Sequence, residues 1–373
     1  MTVSLLDRHF LKRESAAATT VVVASLVVNL GLLAMTGVHI GGDTVRYVEG
    51  AGNLLSGRPL EGMQALFPGY IALVAASAKL GAGTLGVVVV QIAVAALATL
   101  ALFRIGRRLS NVACGTIAAL LFALNVDLAR WHLFVLTDSL YISLVIIATY
   151  AAHEAAERGG WRYVAASVLV LVAATLRPHG RVLIVSAALY WIARRPTLRR
   201  DAVVAYAAAA ILLIALAVTT GATLRAEAET PGRWLGNGVV IWSDTASQLS
   251  MPHDAVVDPA AAGATSTAPL RYAARHPIAT LRLAVTRVSV ELWHARRFYS
   301  RAHNAAVVAL LGVTYACAVV GFLRRRHQPI AWLMAIVVAS HLAFVAATFA
   351  DWDGRFVLYV LPLIDVFAGA AIA

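Results

Sequence analysis

The run from Ala16 to Val38 reads AAATTVVVASLVVNLGLLAMTGV, and it is followed at once by His39-Ile40-Gly41-Gly42-Asp43-Thr44-Val45-Arg46-Tyr47. The first stretch carries no charge and exceeds the roughly 20 apolar residues a membrane helix needs. It is too long for a signal-peptide core and lacks a clear cleavage site. The second stretch sets an acid at the mouth of that span, where a carboxylate needs water, a cation or a substrate. External loops also carry acids for solvation alone, and that plain reading stands beside the functional one.

Working outward, the apolar segments predict an all-α polytopic membrane protein with about ten transmembrane helices. They fall near 17–38, 84–103, 112–128, 138–155, 163–176, 182–192, 202–220, 305–323, 330–349 and 356–372. The fifth and sixth are short, and the polar Arg177-Pro178-His179-Gly180-Arg181 link between them is expected to dip toward the bilayer. Composition agrees. Of 373 residues 60% are hydrophobic and 13% charged, against about 25% charged in a soluble domain. Mean hydropathy is +0.77.

The net charge of +12 would suggest nucleic acid in a soluble chain. Here the arginines sort to loops, as they do where cytoplasmic loops face anionic lipid. Basic groups precede the first span (Arg8, Lys12, Arg13), end the second (Arg104, Arg107, Arg108) and join the fourth to the fifth (Arg158, Arg162). Others follow the sixth (Arg194, Arg195, Arg199, Arg200) and the eighth (Arg324 to Arg326). All fall on one side, so the amino terminus is read as cytoplasmic. Lysine occurs only at Lys12 and Lys79, an Arg/Ala bias that points to a bacterial plasma membrane. Cys114 and Cys317 sit in apolar segments and make no disulfide framework or metal spacing.

The other side then carries the Asp43 loop, the 127–138 turn, the 177–181 turn, a long loop from Gly221 to His303 and the 351–355 turn. Leu66–Leu80, with Pro68 and Gly69 at its start, reads as a juxtamembrane helix on the outer face. A spanning reading would turn the arginine clusters outward. Ile278–Phe298 is apolar but holds Arg282, Arg287 and Glu291, so it reads as a second interfacial helix with its arginines toward headgroups. The stretch 226–277 holds Trp234, Trp242, Pro252 and Pro259, the tryptophans as interfacial anchors, and is too short for much of a core. The expected organisation is 1–220 with the loop 39–66, the external loop 221–303, and three last spans in 304–373.

Several short motifs now line up. Asp43-x-x-x-Tyr47 with Ala51-Gly52-Asn53-Leu54-Leu55-Ser56-Gly57 resembles the first external loop of GT-C membrane glycosyltransferases. Phe67-Pro68-Gly69-Tyr70, Leu136-Thr137-Asp138-Ser139-Leu140-Tyr141, Leu176-Arg177-Pro178 and Arg355-Phe356-x-x-Tyr359-x-x-Pro362 resemble later elements of the same superfamily. The pattern is most similar to the protein O-mannosyltransferase and lipid A aminoarabinose transferase branch. It covers most of the first 200 residues and the last 25; the middle loop matches nothing in it. There are departures. Asp43-Thr44 stands where mannosyltransferases usually carry Asp-Glu, one proline replaces a pair at Pro68, and the chain stops inside an apolar run at Ala373.

The resemblance implies transfer of a sugar from a polyprenyl-phosphate donor to an acceptor hydroxyl on the extracytoplasmic side, by single-displacement inversion. Partners would be that donor, membrane lipid, and a glycolipid, glycan or protein acceptor, with no nucleic acid. Catalysis would fall to Asp43 as general base, help of about 10²–10⁴-fold, and to Asp138. Asp138 could orient the acceptor, bind a sugar hydroxyl or hold an arginine; it could equally be a helix cap. Substrate binding would fall to Tyr47, Arg177, His179, Arg181 and Arg355, because guanidinium forks suit a departing phosphate. The plain readings are a turn at Arg177-Pro178, snorkelling for His179, and a weak surface pair of Arg355 with Asp351 or Asp353. No cofactor is required. A divalent cation bridging Asp43 and Asp138 is compatible with the sequence but not demanded by it. A transporter or lipid flippase is the alternative class; it would favour inverted repeats and broken helices, and no repeat is evident.

Overall fold

The computed structural model describes residues 5–194, 199–226, 235, 237–242, 268–296, 299–351 and 354–373. Trp234, Pro252, Pro259 and Asp353 lie outside the described residues, as does the side chain of Trp242. The described chain is helical nearly throughout, as a membrane demands of backbone that must satisfy its own hydrogen bonds. In order come α1 (Leu5–Thr36), α2 (Thr44–Leu55), α3 (Pro68–Lys79), α4 (Gly83–Leu109), α5 (Val112–Leu124), α6 (Val126–Trp131), α7 (Thr137–Arg158) and α8 (Arg162–Leu176). Then follow α9 (Arg181–Arg194), α10 (Arg199–Ala226), α11 (Ala268–Arg275), α12 (Pro277–Trp293), α13 (Arg301–Arg325), α14 (Pro329–Ala347), α15 (Arg355–Leu358) and α16 (Leu361–Ile372). Two short strands, β1 (Ile241–Trp242) and β2 (Ala350–Asp351), pair in parallel.

The expected count of ten spans is not confirmed. Among the described residues six helices are long and apolar enough to cross a membrane: α1 from Arg13, α4, α7, α10, α13 and α14. The apolar α5, α8 and α16 have 13, 15 and 12 residues, and α9 has 14. At about 1.5 Å per residue each falls well short of a hydrocarbon core of about 30 Å. Local chemistry explains the shortening. Asn125 breaks the expected 112–128 span by taking an extended conformation and capping α6, its Oδ1 accepting from the Leu128 amide at 3.2 Å. Pro362 divides the last expected span, because its ring and missing N–H forbid continuous helix from α15, and α16 begins with that proline in its first turn.

α7 is the axis of the bundle. Its span is 72% buried within the protein, against 17% for α1 and α13, whose apolar sides are left to lipid. α7 packs on α4, α8, α9 and α14. α4 and α5 cross closely through two glycines: a Cβ on Gly115 would lie 2.3 Å from the Phe103 carbonyl oxygen, and one on Gly106 2.7 Å from the Gly115 Cα. α16 packs against α13, α5 and α4, laying the end of the chain on its first half.

The basic clusters gather at one end of the bundle. There Arg107 pairs with Glu14, Arg108 and Arg158 share Glu154, and Arg194 pairs with Glu157. The opposite end holds the loops with Asp43, Asp138, Arg177 and Arg355. Two backbone ties knit that end together. His39 donates to the Leu133 carbonyl and accepts from the Val135 amide, and the Ala350 amide donates to the Val240 carbonyl at 2.8 Å.

Within Ile278–Phe298 the expectation that the arginines face headgroups needs correction at Arg287. α12 exposes Ile278, Leu281 and Val285 but buries Arg287 completely. The Arg287 guanidinium donates to the carbonyls of Val239 (2.8 Å) and Ala346 (3.0 Å) rather than to headgroups. An unpaired charge at depth is costly, and these carbonyls supply its partners.

Candidate active site

Proline sets the first part of the site. The residue before a proline is pushed out of the α region, so Arg177 adopts φ −157° and ψ 150° and ends α8. That turn directs its side chain toward the first turn of α7. There Nη1 donates to Asp138 Oδ1 at 2.6 Å and to Thr137 Oγ1 at 3.1 Å. The cap position of α7 is Leu136, and no side chain caps the helix. Asp138 is therefore not a cap; it is an acid in the first turn, 1% exposed, held by cations.

The late Arg-x-x-x-Tyr element completes the cluster. The Tyr359 hydroxyl donates to Asp138 Oδ1 in a very short bond. Arg355 Nη1 lies 3.8 Å from Asp138 Oδ2, while its Nε and Nη2 each donate to Asp351 Oδ1 at 3.1 Å. The expected Arg355–Asp351 pair exists, but it is buried and shared with Asp138 instead of lying in water. Rings cover the guanidiniums: Arg177 lies 5.1 Å from the Tyr359 centroid and 5.7 Å from Phe356, and Arg355 lies 5.7 Å from Trp131.

Tyr47 joins the first loop to this cluster. It is 1% exposed, and its ring is edge-on to Phe67 and Tyr70. Burial pushes its phenol up to about 12, so it stays protonated at neutral pH and serves as a hydrogen-bonding group rather than a base. One turn back, Asp43 occupies the N-cap of α2 without a side-chain cap bond. It pairs only loosely with Arg46, at 3.2 Å, with over a third of the aspartate side chain exposed. Thr44, next to it, donates to the Val135 carbonyl at 3.0 Å and pins this loop beside α7.

Two sequence candidates sit apart. The His179 ring is 5% exposed and enclosed by Phe344 and Phe356, centroids 4.3 and 4.4 Å away, with His341 and Tyr359 beyond. Its ring is buried and does not snorkel, and its carbonyl accepts from the Tyr141 hydroxyl at 2.8 Å. Arg181 starts α9 and donates to the Thr219 carbonyl at 3.2 Å. It lines an apolar cavity of about 370 Å³ with Val182, Val185, Leu216, Ser340, Ala343 and Phe344.

Asp138 Oδ1 is bonded to Arg177 and Tyr359, while Oδ2 faces Arg355 at 3.8 Å. No group of three metal-type side chains occurs among the described residues.

Residues that sequence reasoning left without a role also belong here. Tyr359 was visible in the late motif. Glu291 was visible as an acid inside an apolar stretch; its Oε1 and Oε2 accept from the amides of Val357 (2.7 Å) and Asp351 (2.8 Å). Thr137 accepts from Arg177 Nη1, which nothing in the linear sequence indicates.

Residues 65–221 match the family of dolichyl-phosphate-mannose-protein mannosyltransferases. No curated protein matches the chain by sequence. Among solved structures, the archaeal oligosaccharyltransferase AglB from Archaeoglobus fulgidus, in complex with an inhibitory peptide and a dolichol-phosphate, is similar in fold. The TM-score is 0.59 at 15% identity, covering 99% of this chain and 50% of that one. At that identity the likeness speaks for the fold alone, and the present chain spans half the length of that protein. Residues 65–221 thus resemble that mannosyltransferase family, the chain shares the fold of that oligosaccharyltransferase, and its long apolar helices are those of a multi-pass membrane protein. The matched segment contains Asp138, Arg177, His179 and Arg181; Asp43, Tyr47 and Arg355 fall outside it.

Proposed function

We propose that this protein transfers a sugar from a polyprenyl-phosphate donor to an acceptor hydroxyl on the extracytoplasmic side of a bacterial plasma membrane, with inversion. The observation that carries the reading is the join between α2 and the buried cluster. Thr44, bonded to the Val135 carbonyl, pins α2 beside α7 and sets a partly exposed carboxylate at the end of the bundle where Asp138 holds Arg177 and faces Arg355. The acceptor oxygen attacks the anomeric carbon, its proton passes to Asp43, and the bond to phosphate oxygen breaks. The lipid phosphate leaves with the electron pair, its charge received by Arg177 and Arg355. Asp138, buried and bonded through Oδ1 to Arg177 and Tyr359, acts as their holder rather than as a second base. Arg181 and its apolar cavity suit the first units of the donor's lipid tail.

The test is transfer by purified protein in detergent. Radiolabelled polyprenyl-phosphate mannose and arabinose are each offered with a crude lipid and glycan acceptor pool, for wild type and Asp43→Asn. Transfer that collapses in a folded mutant supports the reading and names the donor sugar. Saturable lipid-phosphate binding without transfer, indifferent to the mutation, would favour the flippase class instead.

A further inference from the structure

The segment carrying Arg355 is held by another stretch of chain, 291–296 at the end of α12, and the grip is on backbone. Glu291 accepts the Asp351 and Val357 amides, one on each carboxylate oxygen, on either side of Arg355. Arg296 Nη2 donates to the Asp351 carbonyl at 2.9 Å. The His294 ring lies against Gly354. Both of these last residues are left-handed, His294 at φ 52° and Gly354 at φ 71°. A non-glycine residue in that region is uncommon and marks a place where surroundings over-determine the backbone. The fit is close: a Cβ at 354 would lie 2.1 Å from His294 Nδ1. Glu291 itself is fully buried, a position a carboxylate occupies only when its hydrogen bonds are supplied.

We propose that Glu291 is a positioning residue for Arg355: by gripping the backbone before and after it, Glu291 fixes this guanidinium between Asp351 and Asp138, where the donor phosphate is received. The inference rests on the donor reading above. Asp351 alone does not explain the geometry, because its own amide and carbonyl are held by Glu291 and Arg296. Charged hydrogen bonds to backbone are among the stronger ones available, and two from one carboxylate define the course of a turn.

Two readouts separate the clamp from the donor. The first is amide exchange over peptides containing 351–357 in the full-length protein, against α7 as an internal reference. The second is binding of undecaprenyl phosphate, the lipid monophosphate without sugar. Glu291→Gln keeps one good acceptor oxygen and the side-chain volume; Glu291→Asp keeps the charge at shorter reach; Arg355→Ala removes the phosphate ligand. We expect Glu291→Gln to speed exchange at 351–357 while leaving α7 protected. Its lipid-phosphate Kd should rise roughly tenfold or more, the scale of a lost hydrogen bond to a charged group. Glu291→Asp should recover part of the loss, and adding Glu291→Gln to Arg355→Ala should weaken binding no further. Unchanged exchange in Glu291→Gln, or losses that add in the double variant, overturns the positioning role. Faster exchange in Glu291→Gln with lipid-phosphate binding indifferent to Arg355→Ala, or absent from wild type, preserves the clamp as structure but overturns the donor reading and this role with it.

Discussion

Asp43–Arg46 and Asp138–Arg177 are both acid–arginine pairs at the same end of the bundle, and they differ in almost everything but chemistry. The first is 3.2 Å long with about a third of each side chain open (31% and 37%). The second is 2.6 Å long with 10% and 2% open, and its carboxylate is also bonded to Tyr359 and near Arg355. An exposed pair is worth about 0–1 kcal/mol, so Asp43 exchanges partners easily, as the proposed base must. A buried pair is costly to break, so Asp138 keeps its partners and spends its charge on fixing them. The same two residue types thus divide reaction from support, and burial makes the division.

The strongest way to break this comparison is to remove one member of the buried pair. Arg177→Ala strands the Asp138 charge and should lower unfolding stability by about 3–5 kcal/mol, read by denaturation in detergent; a change under 1 kcal/mol would deny the pair its supporting role. Asp43→Asn should do the reverse. Turnover should fall by about 10²–10⁴-fold, the contribution of a general base, while the melting curve shifts by no more than a surface pair predicts. Tyr359→Phe sharpens the contrast by removing one donor from Asp138 without exposing it. A loss of about 1.5–3 kcal/mol is expected for a bond to a charged group, again by denaturation.

A smaller effect concerns pH. Burial, and then the charge of Asp351, push the Glu291 carboxyl up to about 7; Arg296 and Tyr315 also face it. An unfolded glutamate titrates near about 4.3, so between these values the folded chain holds more protons. This contribution to stability is complete below about 4.3 and is lost as pH rises through about 7. Melting temperature measured from pH 4 to 8 should fall across that window in wild type and less so in Glu291→Gln. The smallest effect is expected for Arg46→Ala, within about 1 kcal/mol in stability and with turnover retained; a large loss there would mean that the Asp43 pair is more than a loose surface contact.

The six long spans were legible because apolar length is written directly in sequence, and the gathering of arginines at one end followed from counting loops. Asp138, Arg177 and Arg355 were each legible from short motifs, but their union was not. Asp138 and Tyr359 lie far apart in the chain, and nothing in local pattern says which acid faces which base across packed helices. Hydropathy also ran two apolar stretches on as single helices, since it does not register that Asn125 and Pro362 interrupt them. Arg287 and Glu291 misled for a related reason. Charge in an apolar stretch reads as headgroup contact, whereas both side chains turn inward to backbone atoms of distant segments.

The grip on the 351–357 turn engages peptide groups, which every residue except proline carries in full. The route of that turn is therefore largely independent of the side chain displayed at 355. A descendant of this chain can exchange Arg355 for another group and present it at the same point in space, so the site can be retuned for a different leaving group by one substitution without redrawing the scaffold.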